Sequence, residues 1–174
     1  MFRRAEIRDI ERISEIYDAL HSREEAGRAC IGWVRGVYPT RETARAAVDA
    51  GDMFVLEEEG RVVAAARINR IQVPEYANAA WRHPAPDAQV MVLHTLVVDP
   101  DCAGRGCGTR FVDFYESYAR AQSCPFLRMD TNARNRAARA LYKKLGYEEV
   151  SIVPCAFNGI PGVQLVCLEK KLED

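Results

Sequence analysis

No CxxC pair, no HxxxH spacing and no Cys/His cluster occur in the 174 residues. Cys30, Cys102, Cys107, Cys124, Cys155 and Cys167 are scattered, as are His21, His83 and His94. A zinc site needs four such ligands in close groups, so no metal is expected. Several of the cysteines fall in stretches that read as strand or core. Free thiols in a reducing cytoplasm are the simplest reading. No apolar run approaches the roughly 20 residues that span a bilayer. The opening MFRRAEIRDIERI carries charges every few residues and holds no signal-peptide apolar core. Charge surplus is missing too, with 24 Lys and Arg against 25 Asp and Glu. Nucleic-acid affinity comes mostly from neutralised phosphates, so a dedicated nucleic-acid binder is disfavoured. A local basic pocket for a phosphorylated ligand stays open. Repeats, low-complexity tracts and linkers are absent, so residues 1–174 are expected to form one domain.

The positive pattern is a regular alternation of elements. Residues 1–5 suit a short strand. Asp9 reads as a helix N-cap before Ile10, Ile13, Ile16, Tyr17 and Leu20 at helical spacing. The stretch from Ser22 to Pro39 is less regular. Thr40 reads as the cap of a second helix that Gly51 ends. Met53 to Glu57 and Arg61 to Asn69 read as strands joined through Glu59-Gly60. Residues 74–89, with three prolines, read as loop. Val90 to Val98 is almost continuously apolar, which suits a strand buried on both faces. A helix is expected over 107–122, a short strand over Phe126 to Asp130, and a helix over Asn135 to Leu145. Tyr147 to Phe157 and Val163 to Leu172 flank the turn dipeptide Asn158-Gly159. Mixed hairpins and crossovers predict an α/β chain, one mixed sheet with helices on its faces.

The most informative stretch is Val97-Val98-Asp99-Pro100-Asp101-Cys102-Ala103-Gly104-Arg105-Gly106-Cys107-Gly108-Thr109. It leaves a buried strand, turns through glycines and opens a helix. Glycines admit positive φ and let a ligand approach the N–H groups closely. A helix N-terminus adds a field that favours an anion. The pattern reads as a phosphate or pyrophosphate cradle, against the plainer reading of a tight strand-to-helix turn. A Walker loop needs Gly-Lys-Ser/Thr, and there is no such lysine. A dinucleotide fingerprint needs glycine where Thr109 stands.

Gly104-Arg105-Gly106-Cys107-Gly108 after Leu96-Val97-Val98-Asp99-Pro100 resembles the acetyl-CoA loop of the GNAT acetyltransferases. The block from Leu127 to Tyr147, with Asn135 and Leu141-Tyr142 inside it, resembles that family's following strand and helix. The likeness is sharp over about residues 90–150. It implies a twisted, mostly antiparallel mixed sheet of about seven strands flanked by helices. It also implies acetyl-CoA as cosubstrate and transfer of its acetyl group to a primary amine by direct attack. The loop departs from the family at Ala103, where Gln or Arg is usual. One side-chain contact to the pyrophosphate is then missing, and Arg105 could partly replace it.

The resemblance also assigns roles. Main-chain groups of Leu96, Val97 and Val98 would pair with the pantetheine arm and help polarise the carbonyl. N–H groups of Arg105, Gly106, Cys107, Gly108 and Thr109 would hold the pyrophosphate. Asn135 would contact the pantetheine region, or simply cap its helix. Tyr142 would protonate the departing thiolate, or simply pack in the core. His94 is a candidate base, two residues before Leu96 and so expected on the same strand face. Cys107 has no neighbouring His or acid to activate it as a nucleophile. Trp33, Tyr38, Trp81 and Phe157 are candidate substrate walls, with ordinary packing as the alternative. A small amine or amino-acid-like acceptor is favoured, without nucleic-acid or membrane partners, and a homodimer is left open. The rival readings are a protein N-terminal or lysine acetyltransferase, and an acyl-CoA-binding module without turnover.

Overall fold

The computed structural model describes residues 1–173. Seven strands form one open sheet: β1 (Phe2–Arg4), β2 (Met53–Glu58), β3 (Arg61–Asn69), β4 (Val90–Val98), β5 (Phe126–Asn132), β6 (Glu148–Phe157) and β7 (Ile160–Lys171). Their order across the sheet is β1-β2-β3-β4-β5-β7-β6, and only β4 and β5 run parallel. Four α-helices cover it: α1 (Ile10–Glu25), α2 (Arg41–Asp49), α3 (Cys107–Ala121) and α4 (Arg136–Lys144). The mixed, mostly antiparallel seven-stranded architecture matches the expectation.

Periodicity explains which face each helix takes. Ile10, Ile13, Ile16 and Tyr17 of α1 join Ala44 and Ala47 of α2 over Val55, Ala65 and Val97. On the other face Phe111 and Tyr115 of α3 and Tyr142 of α4 pack on Ala64, Ala66, Leu93, Met129 and Leu168. The segment 74–89 is a packed cover rather than a bare loop. Its short 3₁₀ turns bring Tyr76 and Trp81 onto Val90, Val92, Leu165 and Cys167.

Two local expectations change. Asp9 does not cap α1. Its carboxylate accepts from the Arg3 guanidinium at 2.7 and 2.9 Å and from the Glu6 N–H at 2.7 Å. A 3₁₀ turn, Ile7–Asp9, therefore leads into α1, and Asp9 ties it to β1. The second change concerns β4. Arg67 lies opposite His94 and Ala65 opposite Val97, so Thr95 and Leu96 together face only Ala66. This is a β-bulge, and Thr95 sits at φ 53°. The extra residue reverses the alternation. Leu93 packs toward α3, yet so do Leu96 and Val98. His94 shares the α1 face with its cross-strand neighbour's row, where Val97 lies. His94 and Leu96 therefore lie on opposite faces, contrary to the simple two-residue rule.

Beyond the bulge β4 has no ladder partner on its β5 side among the described residues. The parallel ladder runs from Val90 opposite Phe126 to Leu93 opposite Met129 and stops there. β5 continues to Asn132 paired only with β7. The two strands thus form a V, closed at Val90 and open toward Val98. The Tyr115 hydroxyl clamps the closed end by donating to Met91 O at 2.7 Å, with Arg128 O 3.2 Å away. Tyr115 is fully buried, so nothing replaces that donor. Tyr115→Phe is expected to cost about 1–3 kcal/mol by leaving buried carbonyls under-satisfied. Denaturant midpoints of wild type and variant measure this, and an unchanged midpoint would remove the clamp.

Candidate functional site

The open end of the V leads into a cavity of about 530 Å³. One wall is β4 from Leu93 to Val98, and the facing wall is Asp130, Thr131 and Asn132 of β5. Asn135, Ala138 and Tyr142 add the start of α4. Tyr17, Leu20 and Arg23 of α1 line the far side, and residues 28–33 cross it as a strap. Of the residues singled out in the sequence, the cavity gathers His94, Leu96, Val97, Val98, Asn135, Tyr142, Trp33, Tyr38 and Phe157. Trp81 does not line it. That indole donates to Tyr76 O at 2.9 Å and lies under the Arg128 guanidinium, 4.2 Å from the ring centroid.

The glycine loop sits at the cavity mouth, where Pro100 and Ala103 are the lining residues. Gly106 takes φ 75° as the cap of α3 and offers no side-chain acceptor. The Arg110 N–H is the first to bond back into the turn, to Gly106 O at 3.0 Å. Among the described residues, the N–H groups of Cys107, Gly108 and Thr109 find no acceptor, as expected for the first turn of a helix. The Arg105 N–H, in contrast, is already given to Cys102 O at 3.3 Å. Its guanidinium meets Glu58 at 3.2 Å, beside Arg110 on the same carboxylate. Gly108 serves packing, because a Cβ there would stand 3.2 Å from Leu141 Cδ2. The Cys107 side chain turns into the core, and burial pushes its thiol up, away from the nucleophilic thiolate.

Asn135 is the N-cap of α4, its Oδ1 accepting from Ala138 N at 3.1 Å. The cap uses the oxygen and leaves the amide NH₂ available beside the cavity. Tyr142 is buried, and its edge meets the Tyr147 ring. Burial, then the nearby Asp130 charge, raises the Tyr142 hydroxyl above its ordinary value, so it keeps its proton. The strap is held from below. The Glu24 carboxylate accepts from Ile31 N at 2.5 Å and Gly32 N at 3.1 Å. Gly32 has φ 85°, and a Cβ there would fall 2.3 Å from Asn132 Nδ2. Only glycine lets the strap lie on β5. Tyr38 reaches across to hydrogen-bond Thr95, and Trp33 packs edge-on against Tyr38.

Two titratable groups face the cavity from β4 and β5. His94 places Nε2 3.0 Å from Asn69 Oδ1. That oxygen also accepts from Ile71 N, and the Asn69 NH₂ donates to Asp52 at 2.8 Å. The network therefore assigns the proton to Nε2. Burial first, then the Arg67 charge, pushes the His94 imidazole down to about 4. Asp130 moves the other way. Burial raises its carboxyl from 3.8 to about 6, while the Tyr76 hydroxyl, donating at 2.7 Å, restrains the shift. Asp130 was not singled out in the sequence. The available signal was an acid on a strand between Leu127, Met129 and Thr131, a poor strand former where a solvated position was not expected. Thr95, Glu24, Tyr17, Arg23 and Arg28 carried no comparable signal.

The family model described as the acetyltransferase (GNAT) family matches residues 11–147. An uncharacterized N-acetyltransferase of Methanocaldococcus jannaschii is 32% identical over 73 residues, 42% of this chain and 32% of that protein. The match thus spans about a third of that relative's length. A GNAT-family acetyltransferase structure from Streptococcus agalactiae superposes with TM-score 0.83 at 22% identity, covering 100% of this chain and 96% of that one. The yncA structure from Salmonella typhimurium, solved with its cofactor acetyl-CoA, gives TM-score 0.70 at 19% identity over 100% of this chain and 94% of that one. Likenesses at this identity bear on the fold.

The Asp130 shift has a thermodynamic consequence. Its folded-state value lies above the unfolded one, so ionised Asp130 opposes folding above about pH 6 and does so no longer below about pH 4. Asp130→Asn keeps an acceptor for the Tyr76 hydroxyl and removes the half-buried charge. It is expected to stabilise the fold by about 1–3 kcal/mol near pH 8, with the gain fading toward about pH 4. Denaturation at both pH values measures it, and a pH-independent difference would contradict a desolvated carboxylate.

Proposed function

The chain belongs to the acetyltransferase (GNAT) family, and from that premise we propose that it transfers the acetyl group of acetyl-CoA to the primary amine of a small molecule. The observation that carries the reading is the V between β4 and β5. It connects the glycine loop at Ala103 to Asp130 and Tyr142 through one cavity.

The residues present suit acetyl-CoA. The first-turn N–H groups of Cys107, Gly108 and Thr109 lack internal acceptors and would take the pyrophosphate, with the field of α3 behind them. The β5-facing side of β4 from Leu96 to Val98 has no ladder partner and would pair with the pantetheine amides. The amide NH₂ of Asn135 stands beside that path. When bound, the cosubstrate supplies an acetyl thioester.

The chain's own groups then divide the proton work. An acceptor amine arrives as ammonium and must lose a proton before its lone pair can attack. Asp130 Oδ, with its carboxyl raised to about 6, is ionised near neutral pH and takes that proton. His94 at about 4 is the weaker acceptor, and its role here is to fix the wall through Asn69. The amine nitrogen forms its bond to the acyl carbon as the C–S bond breaks. The Tyr142 hydroxyl, kept protonated by burial, gives its proton to the departing sulfur, and the second proton that the nitrogen sheds on becoming an amide returns the Tyr142 oxygen to its neutral form. A strap tied down by Glu24 closes the acceptor side, which favours a small acceptor over a peptide.

Release of free thiol from acetyl-CoA across an amine panel tests the reading. Turnover with small primary amines is expected, and protein N-termini as the better acceptors would replace it with the peptide reading. Tyr142→Phe is expected to lower kcat by about 10²–10⁴ with little change in acetyl-CoA affinity. A wild-type kcat under chemistry-limited conditions would reduce Tyr142 to a packing residue. Gly106→Val is expected to abolish thermal protection by acetyl-CoA, since a β-branched residue is strained at φ 75°. Full protection in a folded variant would remove the cradle.

A further inference from the structure

Five charged side chains line the cavity: Arg23, Arg28, Arg67, Asp99 and Asp130. Internal pairing accounts for two of them. Arg67 meets Asp52 at 3.1 Å, and Asp99 is held by Arg12 and by Arg61. Arg23, half-buried, and Arg28, exposed at the rim, have no carboxylate and no side-chain hydrogen-bond acceptor among the described residues. The acids nearest them in the chain are engaged elsewhere. Glu24 holds the strap N–H groups, and Asp18 and Glu25 hold Arg35. Asp130 is met only by the neutral Tyr76 hydroxyl. The unmatched charge is therefore positive on the α1 and strap side and negative on β5.

A third group points the same way. Tyr17 is 1% exposed, lines the cavity on the same side of α1 as Leu20 and Arg23, and its hydroxyl has no partner among the described residues. A buried hydroxyl without a partner in a cavity wall is uncommon unless a ligand or water completes it. The phosphates of the cosubstrate do not account for this end of the cavity. Arg12 of α1 sits at the glycine-loop end, on Asp99. Arg23 is eleven residues further along the same helix, roughly 16 Å away at the α-helical rise.

We propose that the acceptor is a zwitterion, a free amino acid or a close relative, with its ammonium turned to Asp130 and its carboxylate to Arg23, Arg28 and Tyr17. The inference rests on the acetyl-transfer reading above and names the substrate class of that site. Two guanidiniums give a carboxylate charge-assisted, directional hydrogen bonds, while the Asp130 carboxylate selects the amine end. A peptide N-terminus lacks the nearby carboxylate and gains nothing from the arginines.

The test compares L-amino acids with their amides and with short peptides, by thiol release and by titration calorimetry on the CoA-bound protein. The best free acid is expected to exceed its own amide by about 10–100-fold in kcat/KM. Arg23→Gln and Arg28→Gln are each expected to shrink that ratio about tenfold, through KM rather than kcat. Both side chains lie at the cavity rim outside the packed core, so the variants should fold. Amides or peptides that serve as well as the acids would overturn the proposal. An acid-to-amide ratio unmoved in the double variant would overturn it too. If no amine releases thiol, acetyl transfer itself fails, and calorimetry still decides the anion site. A preference for acids that the double variant loses supports it, and equal affinities for acid and amide refute it.

Discussion

The cavity of this fold depends on β4 parting from β5 at Leu93 and Met129. The parting begins with one residue. Thr95 is β-branched and sits at φ 53°, a conformation such side chains rarely adopt. A non-glycine residue held there costs about 1–3 kcal/mol. Neighbouring structure must offset that. Tyr38 grips the Thr95 hydroxyl from the strap side, and the ladder with β3 resumes at Val97 opposite Ala65. Upstream, four parallel pairs and the Tyr115 clamp hold the two strands together. A sheet that is both firmly closed and sharply opened within nine residues of one strand is what creates the cavity.

Burial in that cavity then sets the chemistry. The same loss of water raises Asp130, lowers His94 and raises Tyr142. Desolvation always disfavours the charged form, so an acid and a base move in opposite directions. In the proposed mechanism this separates roles among groups that β4, β5 and α4 bring to one cavity. A carboxylate that titrates near neutral pH can take a proton from an ammonium. A hydroxyl that burial keeps protonated at rest has a proton to give to a thiolate. The imidazole, pushed down to about 4, stays neutral and holds Asn69 in place.

Much of the scaffold was legible in the sequence, because it follows from local rules. Helical spacing of Ile10, Ile13, Ile16 and Tyr17 found α1. Thr40, which accepts from Thr43 N, marked the start of α2. Asn158-Gly159 marked the β6–β7 turn. The turn of the glycine loop into α3 and the Asn135 cap of α4 were also legible locally. Thr95 could not be found this way, since a β-branched residue in an apolar run argues for regular strand. Missing it put His94 and Leu96 on one face. Asp9 misled for a related reason: its cap-like position is used for a salt bridge to Arg3, a contact with β1 that only the fold creates. Asp130, Arg23 and Arg28 are informative only once three distant segments meet. Their meaning lies in which charges are left unmatched, and pairing is a tertiary property.

Amide hydrogen exchange with and without acetyl-CoA tests the central claim most directly. If the open arm of β4 and the first turn of α3 hold the cosubstrate, the amides of Leu96 and Val98, which point away from β3, and of Cys107 to Thr109 gain protection together. Those of Met91 to Leu93, already in the closed end of the V, should change little. Protection that appears elsewhere, or none at saturating acetyl-CoA, would contradict the assignment of the V as the binding site.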